Sequence, residues 1–242
     1  MVYRKPQSII QQGIHTKFLT MNVCYLSSSQ LGEEMYTFLK SQNANISFSN
    51  TANNRVNNFD NIEYDLGISF LYTHKIPSSE FLKKKLWINF HPGPLPDYRG
   101  RNLCYHALMN GADKFGATLH YMNEEYDTGD IIEVQTFPIE SHYTAGDLSK
   151  LSKNILVSLF KKYVPLFLEG KTIEGEKQSQ QGVCYKKTII NEEINLSLQD
   201  QTKIRALTVC PHFYPHIIVN GKKYFIIPEQ DKSCKHDNRN KL

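Results

Sequence analysis

Asn89 and His91 stand at the start of the segment INFHPGPLPDYRGRN, which covers residues 88–102. Side chains two positions apart on an extended strand leave the same face, so these two would point together. A histidine exchanges a proton near neutral pH, and an amide N–H can donate to an oxygen that becomes negatively charged. The pair is therefore suited to proton transfer with stabilisation of an oxyanion.

Asp127 is the third candidate, because it follows one predicted helix and one predicted strand in a glycine-containing loop. We expect that strand to run parallel to the one carrying His91, which would return Asp127 to the same edge of the sheet, where it could orient His91 or support its cation. Each residue alone has an ordinary alternative: His91 as a turn residue before proline, Asn89 as a strand-end cap and Asp127 as a turn former. Their joint order and placement favour catalysis.

The elements that would position these residues alternate between strands and helices. Short apolar strands are predicted at residues 22–27, 45–50, 64–72 and 86–90, with helices at 29–42 and 77–86, the second capped by Ser78 or Ser79. This rhythm predicts an α/β fold with a mainly parallel, Rossmann-like twisted sheet, whose ligands sit outside the carboxyl ends of the strands. The proline-rich segment follows the fourth strand at such an end, and its prolines exclude a helix.

The rest of the chain continues the pattern and then becomes polar. We predict a helix at 101–111, strands at 117–122 and 130–139, and a long helix at 145–170 that begins at a capping box of Thr144 and Asp147. A short helix near 202–211 and a β-hairpin at about 216–228, turning at Asn220-Gly221, follow. We divide the chain into a loosely held extension at 1–20, a catalytic domain at 21–170 and a C-terminal extension at 171–242.

Composition limits the classes of function. The 242 residues are 40% hydrophobic and 21% charged with a net charge of +4, which suits a small anionic substrate and falls short of a nucleic-acid-binding signature. The five cysteines are scattered without CxxC spacing, which predicts neither a disulfide framework nor a metal site and favours a cytoplasmic location. No apolar run is long enough to predict a membrane span.

The motif NFHPGPLPDYRG, followed by GATLHYMNEEYDTGDII, resembles the folate-dependent formyltransferases, and most of all the bacterial sugar N-formyltransferases. The resemblance implies the formyltransferase type of α/β sheet, catalytic roles for Asn89, His91 and Asp127, 10-formyltetrahydrofolate as the formyl donor and a primary amine as the acceptor. It also implies two binding sets. The folate set is Tyr72, Lys75, Ile76, Asn123, Glu124, Glu125 and Tyr126; the acceptor set is Gly93, Pro94, Leu95, Tyr98, Arg99 and Asn102.

The same resemblance narrows the choice of the amine that accepts the formyl group. The loop reads HPGPLP rather than the HPSLLP of the purine enzyme, and the residues after Gly170 are neither long nor basic enough for a tRNA-binding domain. A nucleotide-linked amino sugar such as dTDP-4-amino-4,6-dideoxyglucose, used for O-antigen and lipopolysaccharide, is the implied substrate. The alternatives are glycinamide ribonucleotide or an aminoacyl amine, a formyl-folate hydrolase that uses water, or a protein that binds folate without catalysis.

Four finer expectations complete the prediction. Arg99 could pair with a substrate phosphate or instead brace the loop through an ion pair. His120 is expected to be structural and His106 a packing or surface residue, while Tyr105 stands where many formyltransferases have tryptophan. The hairpin could join two subunits into a homodimer, because an isolated hairpin needs packing.

Overall fold

The protein is described by a computed structural model that covers residues 21–52, 54–83, 85–178, 182–186, 201–209, 214–219 and 221–226. The predicted extension at 1–20 lies outside the described residues. Strands are β1 (Asn22–Ser27), β2 (Asn45–Asn50), β3 (Leu66–Phe70), β4 (Leu86–His91), β5 (Tyr98–Gly100), β6 (Lys114–Tyr121), β7 (Ile131–Pro138), β8 (Val183–Tyr185), β9 (His216–Val219) and β10 (Lys222–Phe225). Helices are α1 (Gln30–Ser41), α2 (Ser78–Leu82), α3 (Leu103–Met109), α4 (Ala145–Leu168) and α5 (Gln201–Leu207).

One six-stranded sheet of order β2-β1-β3-β4-β6-β7 forms the centre of the fold. The first four strands in this order pair in parallel, as α/β patterning predicts. Their buried faces, with α1 and α4, enclose a core rich in aromatic rings such as Phe70, Phe90 and Phe160. The α/β, mainly parallel, Rossmann-like architecture predicted from the sequence is confirmed.

The strand that follows β4 in the sheet runs in the opposite direction to the one expected. β6 pairs antiparallel with both β4 and β7, so the expectation of a parallel neighbour is wrong. The reason lies in the connection: α3 has seven residues and spans about 10 Å, whereas the six residues of β4 span about 20 Å. The chain therefore stays near the carboxyl end of β4, and the next strand must run back.

Helix starts test the capping predictions. Ser29 caps α1 by accepting from the Gly32 N–H, and Thr144 and Asp147 form the predicted capping box of α4. The predicted serine cap of α2 is wrong, because the N-cap position is Pro77 and no side chain caps this helix. In the part of the chain that is described, no helix is long and apolar enough to cross a membrane.

The chain after α4 returns to pair with the start of β7 and with β5. The backbone of Glu176 bridges antiparallel to Ile131 at the start of β7, and β8 pairs in parallel with β5 inside the proline-rich segment. The predicted hairpin forms from β9 and β10, and Gly221 has a φ of +74° that suits a tight turn. Asn220, the other predicted turn residue, lies outside the described residues.

Candidate active site

Asn89 on β4 lies directly opposite His120 on β6 in the antiparallel register. The Asn89 Nδ2 donates to His120 Nε2 at 3.0 Å, and His120 Nδ1 donates to the Tyr121 carbonyl at 2.6 Å. Because a carbonyl only accepts, the proton of a neutral His120 must sit on Nδ1, which leaves Nε2 free to accept. His120 thus fixes the orientation of the Asn89 amide and leaves its second N–H available.

His91 ends β4 and is held between two acceptors. Its Nε2 donates to the Tyr98 carbonyl at 2.7 Å, and its Nδ1 lies 3.4 Å from Asp127 Oδ1. The residue is 4% exposed. Since each ring nitrogen faces an oxygen acceptor, this position can hold a proton on both nitrogens, that is, an imidazolium paired with a carboxylate.

Asp127 reaches this pair through the loop after β6, which folds back across the sheet. Its Oδ1 lies 3.4 Å from His91 Nδ1 and 3.8 Å from His120 Nε2, while Oδ2 accepts from the Gly100 backbone N–H at 2.9 Å. The backbone of Asp127 has a φ of +56°, a left-handed conformation that aspartate tolerates better than most residues. Asn89, His91 and Asp127 are therefore brought together, as the sequence predicts, although by a returning loop.

The protonation states follow from burial and charge. Burial is the main cause that lowers the pKa of His120 to about 4, with His91 acting in the same direction and Asp127 opposing it. The pKa of Asp127 is lowered: burial disfavours its charged form, but His91, His120, the Gly100 N–H and Arg99 outweigh that effect. The site at neutral pH thus holds a neutral His120 beside an ionised Asp127.

The proline-rich segment is fixed to the sheet by Thr118, a fully buried residue of β6. The Thr118 hydroxyl donates to the Gly93 carbonyl at 2.7 Å and accepts from the Leu95 N–H at 3.0 Å. Gly93, Pro94 and Leu95 are themselves buried, and a Cβ on Gly93 would lie 3.1 Å from His91 Nε2. These three residues, which are predicted to bind the formyl acceptor, therefore shape the wall behind His91.

The other residues predicted to bind the formyl acceptor, namely Tyr98, Arg99 and Asn102, also have structural roles. Tyr98 stacks on Tyr185 of β8 with ring centres 5.8 Å apart, and Asn102 is the N-cap residue of α3 with a φ of +57°. Arg99 is 7% exposed, and its Nε and Nη2 both donate to the Tyr126 carbonyl at 3.1 and 2.7 Å. This geometry favours the bracing alternative for Arg99, with a carbonyl as acceptor where an ion pair was expected.

A cleft opens beside Asn89, His120 and Asp127. It is lined by all seven residues predicted to bind folate, which come from the loop after β3 and the loop after β6: Tyr72, Lys75, Ile76, Asn123, Glu124, Glu125 and Tyr126. Phe81 and Met122 add apolar surface. At its edge, Lys75 Nζ lies 5.4 Å from the centre of the Tyr126 ring, which is 55% exposed. Within the described residues, no group of three or more metal-ligating side chains is placed to hold an ion.

The sequence does not identify Thr118 or Gln178 as residues of this site, and it predicts a structural role for His120 without placing it beside Asn89. Thr118 and His120 lie opposite His91 and Asn89 in the β4–β6 register, so an antiparallel pairing would have shown both positions from the alternation of β6. His106, predicted to be a packing or surface residue, is half-buried and stacks on Tyr185 with ring centres 4.1 Å apart. Gln178 donates to the carbonyls of Asp127 and Gly129, and nothing in its local sequence indicates this.

Comparisons with known proteins identify the family of the chain. A family model described as "Formyl transferase" matches residues 30–160, more than half of the chain. Among curated proteins, a methionyl-tRNA formyltransferase of Mycoplasmopsis pulmonis is 34% identical over 169 residues, which are 67% of this chain and 57% of that protein. One from Bacillus thuringiensis is 33% identical over 134 residues, 54% of this chain and 42% of that protein. The chain thus spans about half the length of these relatives.

Solved structures share the fold. A 4-N formyltransferase from Francisella tularensis superposes with a TM-score of 0.69 at 23% identity, covering 87% of this chain and 98% of that one. A formyltransferase from Anoxybacillus kamchatkensis, solved with UDP-4,6-dideoxy-4-formamido-L-AltNAc and tetrahydrofolate, has a TM-score of 0.58 at 23% identity and covers 68% of this chain and 85% of that one.

Proposed function

The chain belongs to the formyl transferase family, and on this premise we propose that it transfers a formyl group from 10-formyltetrahydrofolate to the amine of a nucleotide-linked amino sugar. The observation that carries the proposal is the convergence of Asn89, His91 and Asp127: Asn89 and Asp127 line the cleft, and His91 lies behind them with its Nδ1 3.4 Å from Asp127 Oδ1. An amide donor, a histidine and a carboxylate are the groups that formyl transfer to an amine requires.

The cleft fits the folate donor. Ile76, Phe81 and Met122 give apolar surface for flat rings, while the Glu124 carboxylate offers oxygen acceptors for ring N–H groups. Lys75 at the edge provides a positive charge for a carboxylate of the donor's tail. These are side chains of two loops at the sheet edge where ligands of α/β folds bind.

Asn89 would stabilise the charge that develops during transfer. When bound, 10-formyltetrahydrofolate supplies the formyl carbon that the amine attacks. The Asn89 Nδ2 holds one N–H on His120 Nε2, so its second N–H can donate to the formyl oxygen as that oxygen becomes negative. His120 keeps the amide from turning away, since its only accepting atom faces Asn89.

His91 and Asp127 would handle the proton that the amine must lose. The proton would pass to His91 Nδ1, which lies 3.4 Å from Asp127 Oδ1, and would then be given to the leaving nitrogen of tetrahydrofolate as the C–N bond between that nitrogen and the formyl carbon breaks. The carboxylate stabilises the positive charge on the ring, and the Gly100 N–H at Oδ2 holds the carboxylate in place. The ring in turn is anchored through Nε2 to the Tyr98 carbonyl.

A sugar amine is favoured by overall similarity. The chain covers 98% of a 4-N formyltransferase structure, and the Anoxybacillus formyltransferase was solved with a UDP-linked formamido sugar. We further propose dTDP-4-amino-4,6-dideoxyglucose as the acceptor, a role in O-antigen and lipopolysaccharide synthesis in the cytoplasm, and a homodimer that pairs through β9 and β10. The exposed side chains of Tyr224 and Phe225 on β10 support the last point.

An aminoacyl amine is the second candidate, since the curated relatives at 33% and 34% identity are methionyl-tRNA formyltransferases. Incubating the protein with 10-formyltetrahydrofolate and, separately, nucleotide amino sugars, glycinamide ribonucleotide and methionyl-tRNA tests the choice. Mass spectrometry should show the gain of one carbonyl group on a nucleotide amino sugar. Formylation of methionyl-tRNA or of the ribonucleotide alone would reassign the acceptor.

A further inference from the structure

The turn that carries Asp127 is held by its backbone carbonyls as well as by its carboxylate. Arg99 donates twice to the Tyr126 carbonyl, and Gln178 Nε2 donates to the Asp127 carbonyl at 3.1 Å and to the Gly129 carbonyl at 2.7 Å. One amide group therefore spans both ends of the Asp127-Thr128-Gly129 turn. A backbone in the left-handed region, such as Asp127, persists only where its surroundings fix it.

Gln178 is itself firmly placed by the chain on which it lies. Two residues earlier, the backbone of Glu176 exchanges hydrogen bonds with Ile131 at 2.8 and 2.7 Å, which extends the pairing at the start of β7. The Tyr121 hydroxyl donates to the Ile173 carbonyl in the same stretch. Residues 171–178 are thus held beside the loop that carries Asp127. This segment lies outside residues 30–160, which the family model matches.

We propose that Gln178 is a positioning residue that sets the catalytic carboxylate of Asp127, an inference that rests on the proposed function. Without the amide, the turn loses both carbonyl contacts while Gly100 and Arg99 retain theirs. The carboxylate then samples positions away from His91 Nδ1. Because acid–base catalysis depends steeply on geometry, a shift of the order of 1 Å is enough to lower turnover.

The first test compares Gln178→Ala and Gln178→Glu with the control Gln42→Ala. Glutamate keeps the size of the side chain but its carboxylate only accepts, so it faces two carbonyls without a proton to donate. Gln42 is a matched glutamine whose side-chain amide donates to the neighbouring Ser41 hydroxyl on the surface. We expect kcat to fall about tenfold to a hundredfold in Gln178→Ala and at least as much in Gln178→Glu. KM for the amine and the kcat of Gln42→Ala should stay within about twofold of the wild type.

The second test asks whether Gln178 acts through Asp127. In an Asp127→Asn background, Gln178→Ala should cost less than about twofold in kcat, because contacting groups on one path are not additive. An equal loss in both backgrounds, or unchanged kcat in both Gln178 variants, would overturn the proposal. Thermal unfolding of the Gln178→Glu variant, which keeps the side-chain size, separates a positional effect from loss of folding.

The contact between Gln178 and the Asp127 turn can also be tested without catalytic turnover. Hydrogen–deuterium exchange of the full chain should show faster exchange of the amides of residues 127–130 in Gln178→Ala, with α4 unchanged. Equal exchange in wild type and variant would overturn the proposal. If the wild type formylates no amine, the proposed function fails, and this exchange measurement still decides whether Gln178 holds the Asp127 turn.

Discussion

Two buried polar clusters lie along the same face of β4, and they use hydrogen bonds in different ways. In the core cluster, Tyr64 donates to Glu80 Oε2 at 2.6 Å and accepts from Trp87 Nε1 at 3.1 Å, while Lys83 Nζ is 2.8 Å from Glu80 Oε1. Both oxygens of the buried carboxylate are occupied, and the cluster is surrounded by Phe59, Leu26 and other core residues. Its polar capacity is used within the fold.

The site cluster consists of Asn89, His91, His120 and Asp127. Some of its hydrogen-bonding groups face the cleft. The Asn89 amide has one N–H on His120 and a second available, and Asp127 Oδ1 faces His91 and His120 at 3.4 and 3.8 Å. Trp87 of β4 belongs to the core cluster. Asn89 and His91 stand two and four positions later on the same strand and belong to the site cluster. The difference teaches that a buried polar network serves stability when its groups satisfy one another and chemistry when some face a ligand.

Removing a side chain of the site cluster should have the largest effect, and it should fall on activity. We expect Asn89→Ala and His91→Ala each to lower kcat by about 10²–10⁴-fold, because each removes a donor or a proton-transfer group at the reacting centre. Steady-state kinetics measures the loss, and circular dichroism checks that the fold persists. Turnover within about threefold of the wild type in both variants would remove these residues from the mechanism.

Disrupting the core cluster should give the next largest effect, and it should fall on stability. Tyr64→Phe removes the hydroxyl that joins Glu80 and Trp87, so a buried donor and a buried acceptor each lose a partner, at a cost of about 1–3 kcal/mol in the free energy of unfolding. Urea titration measures this, with Tyr36→Phe on α1 as the control. We expect kcat to stay within about twofold, and a large loss of kcat without a loss of stability would erase the distinction between the clusters.

The smallest effect, taken per unit of pH, should be a pH dependence of stability to which His120 contributes. In the unfolded chain this histidine binds a proton near its ordinary pKa of 6.5, but in the folded protein only near 4. The unfolded state therefore binds more protons between those values, and stability falls as the pH is lowered from 6.5 towards 4. This one group contributes at most about 1.4 kcal/mol per pH unit.

Urea titrations at several pH values across that window check the sign. His120→Gln should make the decline in stability shallower, whereas the exposed His142→Gln should leave it unchanged. A decline that is identical in wild type and His120→Gln would mean that His120 does not stay neutral when the protein folds.

Local patterns in the sequence were sufficient for most elements of the fold. The strand at 22–27, the helix that follows it and the Thr144–Asp147 capping box all form as predicted, because each depends on neighbouring residues. The alternation of one strand likewise places Asn89 and His91 together.

Features that depend on distant segments were predicted less well. The direction of β6 follows from the length of the connection before it, and the error concealed Thr118 and the contact of His120 with Asn89, because the antiparallel register sets these residues opposite His91 and Asn89. β5 and β8 are three-residue strands whose pairing joins segments far apart in the chain, and neither was predicted. The contact of Gln178 with the Asp127 turn depends on the same return of the chain.

The most direct test of the account is the stoichiometry of one reaction. Wild-type protein is mixed with 10-formyltetrahydrofolate in the presence and absence of a nucleotide-linked amino sugar, and the released tetrahydrofolate and the formylated sugar are quantified together. We expect the release of tetrahydrofolate to depend on the amine, with one formylated sugar formed for each tetrahydrofolate released. Release at the same rate without any amine, with no formylated sugar, would contradict it and identify a hydrolase.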